Sequence, residues 1–185
     1  MDFAQFIPLV LTSFVCAFAS LKIMEPLAHG FGLVDKPCSR KNHSGHIPLI
    51  GGLSIYVAVL ICSSIWLADS KNLQLYLIAS TLTVFIGMVD DKYDLSVRVR
   101  IFGQVIIASI IVNGANISIS QLGDLFGWGA IDLGVLGILF TYLSIMVLMN
   151  AFNMIDGLDG LLGLLSINTF GSIAVLFLAS GQLEY

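Results

Sequence analysis

The sequence predicts an all-α protein, a polytopic bundle of transmembrane helices, and two observations support this fold class. Of its 185 residues, 57% are hydrophobic and 11% are charged, with a mean hydropathy of +0.96, whereas water-soluble domains carry about 25% charged residues. The apolar residues also fall into six runs, each close to the roughly 20 residues that cross a bilayer. Lipid is therefore the expected solvent for most of the chain, and the composition gives no indication of nucleic-acid binding.

In chain order, the predicted spans cover residues 3–21, 47–68, 73–89, 99–114, 133–152 and 160–180. The first run has no Lys or Arg before it, as a signal peptide would have, so we interpret it as a retained span. A polar loop is expected over 22–46. We treat residues 1–185 as one transmembrane domain.

The segment between the fourth and fifth spans, residues 115–132, contains no Lys or Arg. Its alternating Ile117-Ser118-Ile119-Ser120 stretch is followed by several glycines, a pattern typical of a short interfacial strand or hairpin.

Basic residues predict the orientation of the bundle. Seven of the eight lie in or beside the loops that follow spans one, three and five when the N-terminus is external: Lys22, Lys36, Arg40, Lys41, Lys92, Arg98 and Arg100. Only Lys71 falls on the other side. Because loops rich in Lys and Arg stay in the cytoplasm, we expect a periplasmic N-terminus and cytoplasmic polar loops in a bacterial inner membrane.

Three carboxylates lie within five residues where the third span ends: Asp90, Asp91 and Asp94. On a helical turn Asp90 and Asp94 would share a face, and their repulsion favours binding of a cation. The cation that carboxylate oxygens usually bind together with a phosphate-bearing substrate is magnesium. The alternative is a solvated turn in which the acids pair with Lys92 and Arg98.

A second polar cluster repeats every three residues at the end of the fifth span: Asn150, Asn153, Asp156 and Asp159. In a regular α-helix each step of three rotates a side chain by about −60°, so the outer two would diverge. A 3₁₀ turn or a break at Gly157 would let all four converge. Carboxylates at the end of a span indicate a functional site, although a polar helix end with a glycine stop is the alternative.

A basic loop before the second span contains Arg40, Lys41 and His43, and Gly51-Gly52 follows as that span begins. Arg and Lys beside a His can hold a phosphate, and paired glycines permit close approach of a helix or a substrate. The alternative is that the basic residues only keep this loop in the cytoplasm and that the two glycines only allow two helices to pack closely. Taken together, the three clusters indicate a site for metal, phosphates and a lipid-borne acceptor.

These segments resemble the polyprenyl-phosphate N-acetylhexosamine-1-phosphate transferases, and most closely their bacterial N-acetylglucosamine branch, which initiates O-antigen and enterobacterial common antigen synthesis within lipopolysaccharide and related pathways. The stretch NAFNMIDGLDGL is the most specific match. The matching residues are Val34–Pro37, Arg40, Lys41, His43, Pro48, Gly51, Gly52, Asp90, Asp91, Asp94, Leu95, Gln104 and Asn150–Leu161.

The resemblance implies transfer of GlcNAc-1-phosphate from UDP-GlcNAc to undecaprenyl phosphate, with release of UMP. It implies Mg²⁺ as the cofactor, with Mn²⁺ as a substitute, and leaves a homodimer open. Asp90 and Asp91 would be catalytic and, with Asp156, would bind the metal. The implied substrate-binding residues are Asn150, Asn153, Asp159, Arg100, Arg40 and His43.

Family members are about twice as long, with roughly eleven spans, and carry a later Met-Gly-Asp stretch and a His-rich loop. The resemblance therefore implies that 1–185 is the N-terminal half of a transferase, inactive alone. Transfer of another phospho-N-acetylhexosamine, including phospho-MurNAc-pentapeptide, remains open. An intramembrane prenyltransferase and a transporter are further alternatives, although a transporter would place its acids nearer the membrane centre.

Overall fold

The computed structural model describes residues 3–35, 47–67, 69–156 and 160–180. It confirms the all-α prediction. The helices are α1 (Phe3–Phe31), α2 (Gly51–Trp66), α3 (Lys71–Tyr93), α4 (Val97–Ser109), α5 (Leu136–Ile155) and α6 (Leu161–Ser180). A five-residue π turn, Ile110–Gly114, continues α4, and a two-residue strand pair, β1 (Val34–Asp35) and β2 (Ile47–Pro48), precedes α2.

Helix α1 is longer than predicted, because residues 22–31 were expected in a polar loop and are helical instead. Lys22 and Glu25 form an ion pair of 3.2 Å one turn apart, so their charges are compatible with a helix. The helix ends only where Gly32 adopts a positive φ of 69°. Its 29 residues extend about 44 Å, which exceeds the roughly 30 Å of bilayer hydrocarbon.

Helix α2 is shorter than the predicted span 47–68, because Ile47 and Pro48 pair with Val34 and Asp35 as a strand and the helix begins only at Gly51. Its 16 residues fall just below the length that crosses a bilayer. Within the described ranges, five segments are long and apolar enough to do so: Ile7–Ala28, Lys71–Tyr93, Val97–Gly114, Leu136–Ile155 and Leu161–Ser180.

The segment between α4 and α5 was expected to form a short strand or hairpin, and it contains an antiparallel bridge, Gln121 to Asp132, with backbone hydrogen bonds on either side but no strand at Ile117–Ser120. It is attached to α5 by side-chain and backbone contacts. Ile119 N–H donates to Thr141 Oγ1 at 2.8 Å, and a Cβ on Gly137 would lie 2.5 Å from the Ile119 carbonyl oxygen. The absence of a side chain at Gly137 therefore permits this close approach.

Neighbouring helices in the chain pack against one another through small residues, as membrane helices do. Ala58, Ala79 and Ala108 are among the buried residues, whereas large apolar side chains on α6 are exposed as expected for a lipid-facing helix. Helix α4 contacts both α3 and α5 and buries Gly103, Gln104, Ile107 and Ala108. Gln104, the buried polar side chain of α4, is therefore enclosed between these two neighbours.

Candidate active site

The site lies where α3 ends and α4 begins. Asp94 adopts the left-handed conformation, with φ 50° and ψ 69°, and its N–H donates to the Asp90 carbonyl oxygen at 2.8 Å. Aspartate tolerates this conformation better than most residues. Because Asp94 lies outside the helix, it does not share a helical face with Asp90, and the predicted repulsive pair on one face is not formed.

Asp90 is fixed by two hydrogen bonds. Its Oδ1 accepts from the Leu95 N–H at 3.0 Å, and its Oδ2 accepts from Nη1 of Arg100 at 3.3 Å. The Asp90 side chain is 16% exposed and that of Arg100 is 34% exposed. The solvated alternative assigned the acids to Lys92 and Arg98, whereas the described ion pair of Asp90 is with Arg100, on the first turns of α4.

A pair of side-chain amides joins α4 to α5 beside this ion pair. Asn150 Nδ2 donates to Gln104 Oε1 at 2.9 Å and to the Met146 carbonyl oxygen at 2.7 Å. Gln104 is 8% exposed. Both N–H groups of Asn150 therefore have acceptors, which leaves its Oδ1 as the group able to accept a further bond.

The two pairs line one cavity of about 130 Å³ between α3, α4 and α5. Its remaining lining is apolar or weakly polar. The lining residues are Thr83, Ile86, Gly87, Asp90, Arg100, Gln104, Ile107, Met149, Asn150 and Asn153. The cavity thus combines one carboxylate, one guanidinium and three amides. It lies at the end of α3 that carries Asp90, and we call this end of the helices the Asp90 end.

Helical phase explains which members of the second polar cluster reach the cavity. Helix α5 remains α-helical through Ile155, so Asn150 and Asn153 are about 60° apart and Asp156 is about 120° from Asn150. Asn150 and Asn153 line the cavity, whereas Asp156 is exposed and caps the helix. Among the described members of the cluster, Asp156 therefore does not converge with Asn150 and Asn153. Asp159 lies outside the described residues.

The remaining predicted residues are placed as follows. Asp91 is exposed and does not line the cavity. Arg40 and His43 lie outside the described residues. The glycines at 51 and 52 begin α2, and a Cβ on either would meet no described atom within 4 Å. In the part of the chain that is described, the glycine pair is therefore not a helix-packing contact.

Sequence reasoning assigned no role to three polar or small lining residues, Thr83, Gly87 and Gln104. Thr83 and Gly87 precede Asp90 by seven and three residues, so helical spacing from Asp90 would have placed them on its face. Gln104 follows Arg100 by four residues. An amide inside an apolar span is itself an indication of function, because such groups are costly in lipid.

The oxygen-bearing groups suit a hard cation such as Mg²⁺ as part of a ligand set. Asp90 offers a carboxylate and Asn150 a side-chain oxygen, and each carboxylate oxygen keeps a second lone pair beside its present bond. No three His, Cys, Asp or Glu side chains among the described residues lie close enough together to hold a metal ion. A metal bound here would need further oxygens, and substrate phosphates commonly supply them.

The family model for glycosyl transferase family 4 matches residues 73–185, which include every lining residue of the cavity. The chain is 42% identical over 176 residues to the undecaprenyl-phosphate alpha-N-acetylglucosaminyl 1-phosphate transferase of Haemophilus influenzae, covering 95% of this chain and 49% of the relative. The proteins of the same name from Pasteurella multocida and Yersinia pestis are 43% and 39% identical, with 95% and 92% of this chain covered and 49% and 47% of the relatives.

The chain thus spans about half the length of these curated relatives. No solved structure gives a significant match. Because the family model covers more than half of the chain and includes the whole cavity, the chain belongs to glycosyl transferase family 4.

Proposed function

We propose that the protein transfers GlcNAc-1-phosphate from UDP-GlcNAc to undecaprenyl phosphate and releases UMP, as the first step of lipid-linked glycan synthesis for O-antigen or enterobacterial common antigen. The observation that carries the proposal is the cavity lined by Asp90, Arg100, Asn150 and Asn153 at one end of apolar helices. The names of the relatives include the transferred sugar phosphate and the acceptor lipid. Since those relatives are twice as long, the whole activity remains a proposal.

In this reaction an oxygen of the acceptor phosphate bonds to the β-phosphorus of the nucleotide sugar. The bond from that phosphorus to the bridging oxygen breaks, and UMP leaves with the electron pair. Catalysis of such a transfer depends on positioning and on neutralising charge. Mg²⁺, when bound, would neutralise part of the diphosphate charge.

The residues of the cavity can contribute to each requirement. Arg100 places a guanidinium beside the anionic groups, and the Leu95 N–H fixes the orientation of Asp90. The second ionisation of a phosphate monoester lies near pH 6, so a carboxylate base needs only a modest pKa. Asp90 lines the cavity and Asp91 does not, which favours Asp90 as the base. We assign Asp91 and Asp156, which are exposed and do not line the cavity, to metal and substrate binding at the same end of the helices.

The same proposal places the Asp90 end in the cytoplasm of a bacterial inner membrane. Lys92, Arg98 and Arg100 lie at this end of α3 and α4, whereas Lys71 begins α3 at the other end. The excess of basic residues supports the cytoplasmic location, where nucleotide sugars are available.

The test is UMP release in lipid nanodiscs by the chain completed to the length of its curated relatives, with UDP-GlcNAc, undecaprenyl phosphate and Mg²⁺ each omitted in turn. We expect release only when all three are present. Asp90→Asn removes the charge but keeps the shape, and should lower turnover at least about 100-fold. Asp124→Asn, which changes an exposed acid between α4 and α5, is the matched control and should leave turnover unchanged. Wild-type turnover by Asp90→Asn would refute the assignment.

The alternative donor is distinguished in the same assay. Replacing UDP-GlcNAc by UDP-MurNAc-pentapeptide should give no UMP. A preference for the pentapeptide donor would move the proposal to the other branch of the resemblance.

A further inference from the structure

We propose that Gln104 is a substrate-contacting residue whose side-chain NH₂ donates a hydrogen bond to a phosphate oxygen in the cavity. Asn150 orients the Gln104 amide for this contact. The inference rests on the proposed function, since it takes the ligand of this cavity to carry phosphate. Gln104 matters because its side chain is polar, 8% exposed and part of the cavity wall.

The orientation of the Asn150 amide follows from the backbone of its own helix. The Met146 carbonyl oxygen lies 2.7 Å from Asn150 Nδ2. A carbonyl can only accept, so the nitrogen of Asn150 must face it, because the flipped amide would bring two oxygens together. The backbone therefore decides which end of the Asn150 amide is the donor.

The orientation of Gln104 follows in turn. The second N–H of Asn150 faces the Gln104 amide at 2.9 Å, so Gln104 must present its oxygen there. Its Nε2 is then directed away from Asn150, and no described residue accepts a hydrogen bond from it. Buried N–H groups without an acceptor are rare in native proteins. The cavity is where an acceptor can be supplied.

The chemistry of the cavity wall specifies that acceptor. Arg100 and Gln104 are four residues apart on α4, so their donors lie along one side of the helix. Asp90 on α3 and Asn150 Oδ1 on α5 provide acceptors across from them. An NH₂ group cannot ligate a cation, so the α4 wall suits a phosphate oxygen, while the oxygens opposite suit a metal ion.

A purely structural amide bond is the competing explanation, because side-chain hydrogen bonds also hold membrane helices together. The same helix pair supplies a matched control for it. Asn113 Nδ2 donates to the Tyr142 hydroxyl at 2.8 Å, which is also an amide contact with α5 but lies outside the cavity.

The test compares Gln104→Glu, Gln104→Met and Asn113→Leu by steady-state kinetics of UMP release in nanodiscs. The Glu variant keeps the oxygen that accepts from Asn150 but replaces the NH₂ by a charged oxygen, and the Met variant removes both polar groups without adding charge. A hydrogen bond to a charged group corresponds to a change of about 10- to 100-fold. We expect both variants to raise KM by about this factor for a phosphate-bearing substrate, with kcat changed less than about threefold.

The two substrates are titrated separately, so the KM that rises identifies the phosphate as that of UDP-GlcNAc or of undecaprenyl phosphate. Asn113→Leu should leave both KM values unchanged. If Gln104→Met binds both substrates as the wild type does, the inference is wrong. If that variant does not fold, Gln104→Glu decides in the same way, because it retains the acceptor for Asn150.

The failure of the proposed function has a different signature. A completed chain of wild-type sequence that releases no UMP under any of these conditions removes the proposed function and this inference together. An active wild type with unaffected Gln104 variants removes the inference alone.

Discussion

The two ends of the α4–α5 pair use polar side chains in opposite ways. At the end that carries the π turn, Asn113 donates to the Tyr142 hydroxyl at 2.8 Å, which donates to Ser109 Oγ at 3.0 Å, which donates to the Val105 carbonyl oxygen at 2.7 Å. Each hydroxyl accepts one hydrogen bond and donates another, and the last acceptor in the chain is a backbone carbonyl. We call this the Asn113 end.

At the Asp90 end the corresponding chain of bonds runs from Asn150 to Gln104 and ends on the Gln104 NH₂ beside a cavity. An ion pair lies on the same cavity wall. At the Asn113 end the polar groups satisfy one another and hold the helices together, whereas at the Asp90 end our proposal assigns the Gln104 NH₂ to a ligand. The following predictions test that distinction.

The largest effect is expected from removing the guanidinium of the cavity. Arg100→Leu takes the cation from Asp90 Oδ2 and should lower kcat/KM for UMP release by about 100-fold or more. Arg100→Lys keeps the charge but not the planar donors, so about a tenfold loss is expected. Lys71→Leu, at the opposite end of α3, is the control. A loss of equal size in that variant would contradict the distinction between the ends.

Two glycines, one nearer each end, provide a matched test of packing. A Cβ on Gly137 would lie 2.5 Å from the Ile119 carbonyl oxygen, and a Cβ on Gly103 would lie 2.5 Å from Ile86 Cδ1. The first contact is with backbone and the second with the end of a flexible side chain. Gly137→Ala should therefore lower the free energy of unfolding by about 1–3 kcal/mol and Gly103→Ala by under about 1 kcal/mol. Unfolding titrated with SDS measures both, and a reversed order would refute the argument.

The smallest effect is expected at the Asn113 end. Asn113→Leu removes the first bond of the chain through Tyr142 and should cost about 0.6 kcal/mol of stability, the typical value for such bonds in membranes. UMP release should stay at the wild-type rate, because the residue lies outside the cavity. A loss of turnover without a loss of stability would show that this end also participates in function.

The sequence predicted the helical class and the approximate position of every helix, because the length of an apolar run is fixed by the bilayer. It did not predict helix ends. Residues 22–31 continue α1 because they are mostly apolar and their charged pair, Lys22 and Glu25, lies one helical turn apart. The strand pair that shortens α2 involves segments twelve residues or more apart, which local patterns do not reveal.

The cavity was predicted in part. Asp90, Arg100, Asn150 and Asn153 were all named from the sequence and line it together. The three-residue spacing could not decide whether Asp156 joins them, because the answer depends on whether the helix remains regular, and it does. The partner of Asp90 was also missed, since it depends on how α4 packs against α3. The cavity shows that these four residues lie together, and the roles of all the named site residues remain predictions, including those of Asp91, Asp156, Asp159, Arg40 and His43.

The π turn Ile110–Gly114 explains how one helix can direct amides from both ends toward the same neighbour. Gln104 and Asn113 are nine residues apart, which in a uniform α-helix is about two and a half revolutions and would place them on opposite sides. A wide turn of this kind accommodates one surplus residue, so the effective separation is eight, with an angular offset of only about 80°. A chain shortened by Ile111 is therefore expected to wind evenly through this region and still direct both amides to α5.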